Sequence, residues 1–338
     1  MKAYVLHGVN DLRYEEINKP ELMHGWALVK VKAAGICSSD VPRIFTKGTY
    51  HFPTIPGHEF SGTVVEVGNP EDEYLIDKNV GVFPLIPCKK CKQCEAKHYE
   101  MCEHYDYLGS RRDGGFAEYV AVPTWNLIEL PSTVPLKTAA MLEPISVALH
   151  AARLTKIDRG DAVAIIGTGM IGICAAQWSK SIGAKTVTVV GRNESKRKIV
   201  EGCGLDYAIS ENNVNTVQYD KIIEAVGTPQ SIEQAICMTA PGGTLLLMGN
   251  PSGDILFRQD IYWRILRKQL TVKGTWNSSF DGIAPSDWTR AVEALSNQEI
   301  DAEKLISHSF KQEDLPKGLH LMLKHEETYC KIMTEWND

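Results

Sequence analysis

The chain has no apolar run approaching the roughly 20 residues that a membrane-spanning helix needs. Its start, MKAYVLHGVNDLRYEE, is interrupted by charge before any apolar stretch could serve as a signal peptide. An excess of positive charge is also missing. Against 42 Asp and Glu stand 36 Lys and Arg, and the net charge of -6 gives no reason to expect nucleic acid or an anionic membrane as partner. Internal repeats and low-complexity segments are absent. With 43% hydrophobic and 23% charged residues over 338 positions, the chain reads as an ordinary soluble globular protein of about two domains, and a cytoplasmic one.

There are nine cysteines. A cytosolic chain favours thiols and metal sites over disulfides. Cys174, Cys203, Cys237 and Cys330 lie in apolar or helical surroundings and read as small buried hydrophobes. The others invite a different reading.

The first 130 or so residues are mostly β in pattern. WALVKVKAAG alternates, with Val29 and Val31 between Lys30 and Lys32, as a half-buried strand does. From about Leu142 the pattern changes. PISVALHAARL is helical, VAIIG a fully apolar strand, IGICAAQWSKSIGA a helix and TVTVV a second strand. SKRKIVEGCG, YAIS, KIIEAVG, TPQSIEQAICMTA and GTLLLMGN continue the alternation, which implies βαβ units and a parallel sheet. Beyond Asp281 come helical patterns around WTRAVEALSN and LPKGLHLMLK and a last strand, YCKIMTEW.

CKKCKQCEAKHYEMC holds Cys88, Cys91, Cys94 and Cys102. Four thiolates this close can close a tetrahedral shell around Zn²⁺ with no open position, a structural site. An iron–sulfur cluster is the rival, but the loop lacks the Cys-Pro of the bacterial ferredoxin run. A second, dispersed set is Cys37 in GICSSD, His58 and Glu59 in PGHEF, and Glu143 in LEP. Thiolate, imidazole and carboxylate suit zinc with a position open to water or substrate. Between the strand VAIIG and a helix, GTGMIG supplies Gly167, Gly169 and Gly172. Glycines there allow the tight turn and the close approach of a pyrophosphate to the backbone, and the helix N-terminus supplies N–H donors.

These motifs, in this order, resemble the zinc-dependent medium-chain dehydrogenase/reductase superfamily over nearly the whole chain, in particular its polyol dehydrogenases. SSDVPRIF, GHEFSG, YDYLGSRRDGGFAEYV and LEPISVALHA look most like galactitol-1-phosphate 5-dehydrogenases. The resemblance implies an α/β architecture with a GroES-like β-barrel catalytic domain, residues 1–143 completed by 281–338. A Rossmann dinucleotide-binding domain, residues 144–280, is inserted between. It implies two zinc ions, a catalytic one on Cys37 and His58 with Glu59 or Glu143, and a structural one on Cys88, Cys91, Cys94 and Cys102. It also implies a nicotinamide cofactor, an active site in the cleft, a small polyol or polyol phosphate as substrate, and a homo-oligomer, dimer or tetramer, joined through LTVKGT. Dehydrogenation of an unphosphorylated polyol or of threonine is the alternative; a non-catalytic structural member of the superfamily is a remote one.

Ser39 matches the hydroxyl that begins the superfamily's proton relay, but Pro42 stands where many members have a histidine, and proline cannot carry a proton. His51 reads as an ordinary surface or cleft residue. Arg43, Arg111 and Arg112 are candidates for a substrate phosphate, since guanidinium binds its oxygens bidentately. Asn277 falls where some polyol enzymes have a substrate arginine.

In VVGRNESKRK, Gly191 occupies the position expected for the acidic residue that binds the cofactor ribose. Glycine there removes a carboxylate that would repel a 2′-phosphate and is expected to leave room for one. Arg192, Asn193, Ser195, Lys196 and Arg197 follow. The stretch predicts a preference for NADP over NAD, with Val226 and Gly249 completing the cofactor site.

Overall fold

The computed structural model describes residues 1–192, 194–209, 217–283 and 285–336. Two compact units emerge. One comprises Met1–Glu143, Ser279–Gln298 and Leu305–Asp338, the other Pro144–Ser278 and Glu299–Lys304. Among the described residues no helix is long and apolar enough to cross a membrane.

The first unit is built on the long strand Trp26–Ile36, which pairs antiparallel with Glu59–Val67 on one edge. Its other edge is shared, with Tyr119–Pro123 on the first half and Lys331–Glu335 on the second. Register shifts at Leu28/Val29 and Val31/Ala33 let one strand serve both partners by bending it. Val29 and Val31 are buried and Lys30 and Lys32 half-exposed, so the alternation holds in the middle. Beyond it Ala33, Ala34 and Ile36 are all buried. The strand Ile306–Lys311 extends the sheet in parallel with Lys331–Glu335. Its ISHSFK pattern carries too little apolar signal to be recognised beforehand.

The second unit is a six-stranded parallel sheet in the order Asp206–Ile209, Thr186–Gly191, Ala162–Ile166, Tyr219–Glu224, Thr239–Leu247, Thr271–Gly274. Numbered along the chain this is 3-2-1-4-5-6, the doubly wound arrangement of dinucleotide-binding domains. Helices cover both faces, so Val163, Ala164 and Ile165 are fully buried, which is why VAIIG shows no alternation. The helix Pro229–Met238 starts on a capping box formed by Thr228 and Ser231. Met170–Ile182 ends on Gly183 in the left-handed conformation, φ 109°. The helix Gln259–Arg267 was not among the expected elements. Its Ile261 and Ile265 pack on the core while Tyr262, Trp263 and Leu266 are exposed, so its apolar residues are divided between two faces.

Candidate active site

The sulfurs of Cys88, Cys91, Cys94 and Cys102 all lie within 4.8 Å of one another. Cys88 Sγ and Cys94 Sγ are 3.9 Å apart. A disulfide needs about 2.05 Å, whereas the edge of a tetrahedron with Zn–S near 2.3 Å is about 3.8 Å. The donor set therefore fits a closed zinc site. Backbone N–H groups, chiefly those of Glu103 and Cys94, pull the Cys91 thiol down to about 6, so a thiolate is favoured there. Burial pushes Cys94 the other way, to about 12, and a bound cation would offset that. Lys89 lies over the Trp125 ring and Tyr99 packs edge-on to it, which ties the loop to the aromatic core around Phe83, Phe280 and Trp288.

Donor atoms of Cys37, His58 and Glu59 form the second group within 4.8 Å. The buried Asp40 organises it. One carboxylate oxygen accepts from the Cys37 backbone N–H at 3.0 Å and the other lies 3.4 Å from His58 Nδ1. That contact orients the ring and leaves Nε2 for a metal. Burial disfavours the charge on Asp40, but the His58 and Arg43 cations outweigh it and hold the carboxyl below its usual range. His58 is raised in turn, its own burial overcome by Asp40 and Cys37.

Glu59 and Glu143 have different surroundings. Glu143 lies outside the group of three and accepts from the Tyr107 hydroxyl at 3.0 Å. Burial raises the Glu143 carboxyl, and burial with Glu143 alongside raises the Tyr107 phenol. Glu59, only 1% exposed, accepts from Lys331 Nζ, which also donates to the Ile36 carbonyl at 3.2 Å. A Cβ on Gly35 would stand 2.5 Å from Glu59 Oε2, so the carboxylate needs a glycine on the neighbouring strand.

Ser39 Oγ donates to Cys37 Sγ at 3.3 Å and accepts from Arg43 Nη1 at 3.1 Å, which brings Arg43 into the cluster. The other two arginines lie apart from it. Arg112 is exposed and paired with Asp106 through Nε at 2.9 Å and Nη2 at 2.8 Å. Arg111 is sandwiched between the rings of Tyr50, 4.0 Å from its centroid, and Tyr105, 4.8 Å. Its buried Nε has no hydrogen-bond partner among the described residues. Tyr105 packs edge-on to Tyr107 and Tyr107 against His58, so Arg111 is linked to the cluster through two rings. His51 is exposed and braces the same loop, its two nitrogens each 3.1 Å from the carbonyls of Pro53 and Arg111.

In the second unit a cavity of about 310 Å³ is lined among others by Gly167, Thr168, Gly191, Arg192, Val226 and Thr228. Nothing lies within 4 Å of where a Cβ on Gly169 would stand, so the backbone there is open to a ligand. On Gly172 a Cβ would come 2.3 Å from the Gly167 carbonyl, so only glycine lets the helix close on the turn. On Gly249 it would meet the Gly227 nitrogen at 2.1 Å, and Val226 donates its N–H to Glu224 Oε1 at 2.8 Å. An open turn at a helix N-terminus fits a pyrophosphate. Gly191 lines the cavity, and a Cβ there would lie 2.2 Å from the Tyr207 hydroxyl. Arg197 is not a free cation, being held by Glu194 and Glu201. Lys196 ends the turn Glu194–Lys196 that precedes the helix Arg197–Gly202, and Asn193 lies outside the described residues.

Asp40, Tyr107, Lys331 and Tyr207 were not identified from the sequence. Only Lys331 carried a signal, a lysine heading the apolar run KIM in a strand otherwise marked for burial.

Residues 23–132 match the alcohol dehydrogenase GroES-like domain and residues 171–297 the zinc-binding dehydrogenase domain. The galactitol 1-phosphate 5-dehydrogenase of Escherichia coli K12 is 34% identical over 319 residues, 91% of this chain and 92% of the relative. The crystal structure of galactitol-1-phosphate dehydrogenase from Escherichia coli superposes with a TM-score of 0.91 at 33% identity, covering 99% of this chain and all of that one. A putative zinc-binding dehydrogenase from Sinorhizobium meliloti 1021, bound to NADP, gives 0.90 at 27%, covering 99% and 98%. The chain belongs to the zinc-dependent medium-chain dehydrogenases and is an alcohol or polyol dehydrogenase.

Proposed function

We propose that the protein oxidises a secondary alcohol of a polyol phosphate to a ketose phosphate, with NADP preferred over NAD. In this reading Cys37, His58 and Glu59 hold a catalytic zinc, with Glu143 beside them, and Cys88, Cys91, Cys94 and Cys102 hold a structural one. When bound, the metal would lower the pKa of the substrate hydroxyl and the nicotinamide would accept the hydride. The protein's own residues manage the proton and the orientation. Asp40 fixes the His58 ring, and Tyr107 fixes Glu143. Ser39 is placed to take the hydroxyl proton, and the Arg43 guanidinium on its oxygen favours the deprotonated form. Pro42 closes the superfamily's usual next step, so Ser39 passes the proton to water.

The observation that carries the phosphate is Arg111, a guanidinium stacked between two tyrosine rings that link it to the cluster. A phosphate at the far end of a polyol from the reacting carbon calls for a cation set back from the metal ligands, as Arg111 is and Arg43 is not. Arg111→Ala should lower kcat/KM for galactitol 1-phosphate by about 10- to 150-fold, the loss of a charge-assisted pair worth about 1.5–3 kcal/mol. The value for galactitol should stay within about threefold. Equal turnover of galactitol and its 1-phosphate by the wild type would rule out the phosphate.

For the cofactor, Arg192 lines the cavity beside a strand end that carries no carboxylate. The wild-type kcat/KM should therefore be higher with NADP than with NAD, and the reverse order would defeat this part. Two further inferences accompany the reading. A homodimer joins the sheet edge Thr271–Gly274, where Val272 and Trp276 are exposed beside Trp263 and Leu266. Residence in the cytoplasm suits nine cysteines that are all free thiols.

A further inference from the structure

The strands Thr186–Gly191 and Asp206–Ile209 run in parallel, with Val189 opposite Tyr207 and Gly191 opposite Ile209. Because side chains alternate, Tyr207 leaves the sheet on the same face as position 191. Its ring reaches the strand end. A Cβ on Gly191 would lie 2.2 Å from the phenol oxygen, 2.8 Å from Cζ and 2.8 Å from Thr168 Cγ2. Non-bonded carbons approach favourably only to about 3.5–4.0 Å, so a side chain at 191 requires the tyrosine to move. The ring has a stacking partner. The Arg197 guanidinium lies 4.8 Å from its centroid, and Glu194 and Glu201 hold that guanidinium in place.

We infer that Tyr207 is a specificity-determining residue for the cofactor. Its phenol lies where the Cβ of a residue at 191 would stand, so an acid that would favour NAD and repel a 2′-phosphate has to displace the ring to enter. Cofactor choice then depends on two positions on adjacent strands, because an acid at 191 is accommodated only when Tyr207 gives way. The same packing removes Arg197 from phosphate recognition, since two carboxylates compensate its charge, and leaves Arg192 on the cavity wall. The inference rests on the NADP reading above.

The test is calorimetric titration of the full-length, zinc-loaded protein with adenosine 2′,5′-bisphosphate and with 5′-AMP, which report the two adenosine ends without turnover. Gly191→Asp alone should weaken both ligands by at least about tenfold. Adding Tyr207→Ala should restore 5′-AMP binding at least about tenfold relative to Gly191→Asp, leaving the bisphosphate weak. Tyr207→Val, which also removes the ring, makes the same comparison should the alanine variant not fold, with thermal unfolding checking each protein. Undiminished binding of 5′-AMP by Gly191→Asp alone, or strictly additive effects of the two substitutions, would overturn the role of Tyr207. A wild type that binds 5′-AMP more tightly than the bisphosphate would instead defeat the NADP reading. The coupling between positions 191 and 207 is still read from the 5′-AMP titrations in that case.

Discussion

If the two donor groups each hold a zinc as proposed, Cys37→Ala should abolish turnover and lower zinc from two ions per chain to one, while the protein stays folded. The two groups of donors predict this because they differ in what surrounds them. Cys37 closes a group whose other members are held by other partners, His58 by Asp40 and Glu59 by Lys331. Without its thiolate that scaffold remains, but the ion loses its one sulfur ligand. A Lewis acid supplies several kcal/mol of transition-state stabilisation, so kcat should fall at least about a thousandfold. Cys94→Ala is the contrasting case. It opens a four-sulfur shell in a loop that packs on Trp125 through Lys89 and Tyr99. Its zinc should also fall by one, but the loss should appear in the unfolding temperature before it appears in kcat per folded molecule. Metal analysis, activity and thermal unfolding of the two variants separate these outcomes. Zinc-free protein with full activity would end the two-site reading.

In the zinc-free protein, Lys331→Met should destabilise the first unit by about 3–5 kcal/mol, the usual penalty for leaving one charge of a buried pair alone. Both partners are almost wholly inaccessible, Lys331 at 3% and Glu59 at 1% exposed. Burial opposes the ammonium charge, yet Glu59 more than compensates and raises Lys331 above the ordinary lysine range. A raised pKa means the stabilisation is fully present at neutral pH and is lost only as pH climbs through the alkaline range where folded Lys331 titrates. The double variant Lys331→Met, Glu59→Gln should recover more than half of the loss, because no uncompensated charge then remains. Urea unfolding followed by tryptophan fluorescence provides the measurement, with Trp125, Trp288 and Trp336 all in the first unit. A single variant within about 0.5 kcal/mol of wild type would show that the pair does not behave as a buried one.

Much of the protein could be read from local spacing. The cysteine loop was recognisable because its four ligands fall within one short segment, where sequence spacing and spatial distance are nearly the same. GTGMIG was recognisable because a tight turn, an open backbone and a helix packed on that turn each demand glycine at a set position. The buried strand VAIIG and the alternating WALVKVK were recognisable because period follows the number of covered faces. These features depend on neighbours along the chain. The strand Ile306–Lys311 and the helix Gln259–Arg267, whose apolar residues are divided between core and surface, escaped notice because neither shows the usual burial pattern.

What spacing could not supply was the partner of each charge and the occupant of each space. Glu59 and Lys331 are 272 residues apart and meet only because Lys331–Glu335 pairs with the strand Trp26–Ile36, beside Glu59–Val67. Glycine at 191 said nothing of the phenol that the neighbouring strand sets beside it. Three equivalent arginines became three different ones, Arg43 on Ser39, Arg112 on Asp106 and Arg111 between two rings. The sequence by itself determined which chemistry is present, the thiolates, imidazole, carboxylates and glycine turn. The tertiary structure decided which of those groups face one another. The physical reason is that desolvation and close packing act across space, and a buried charge or an occupied volume is set by adjacent strands rather than by neighbours in the chain.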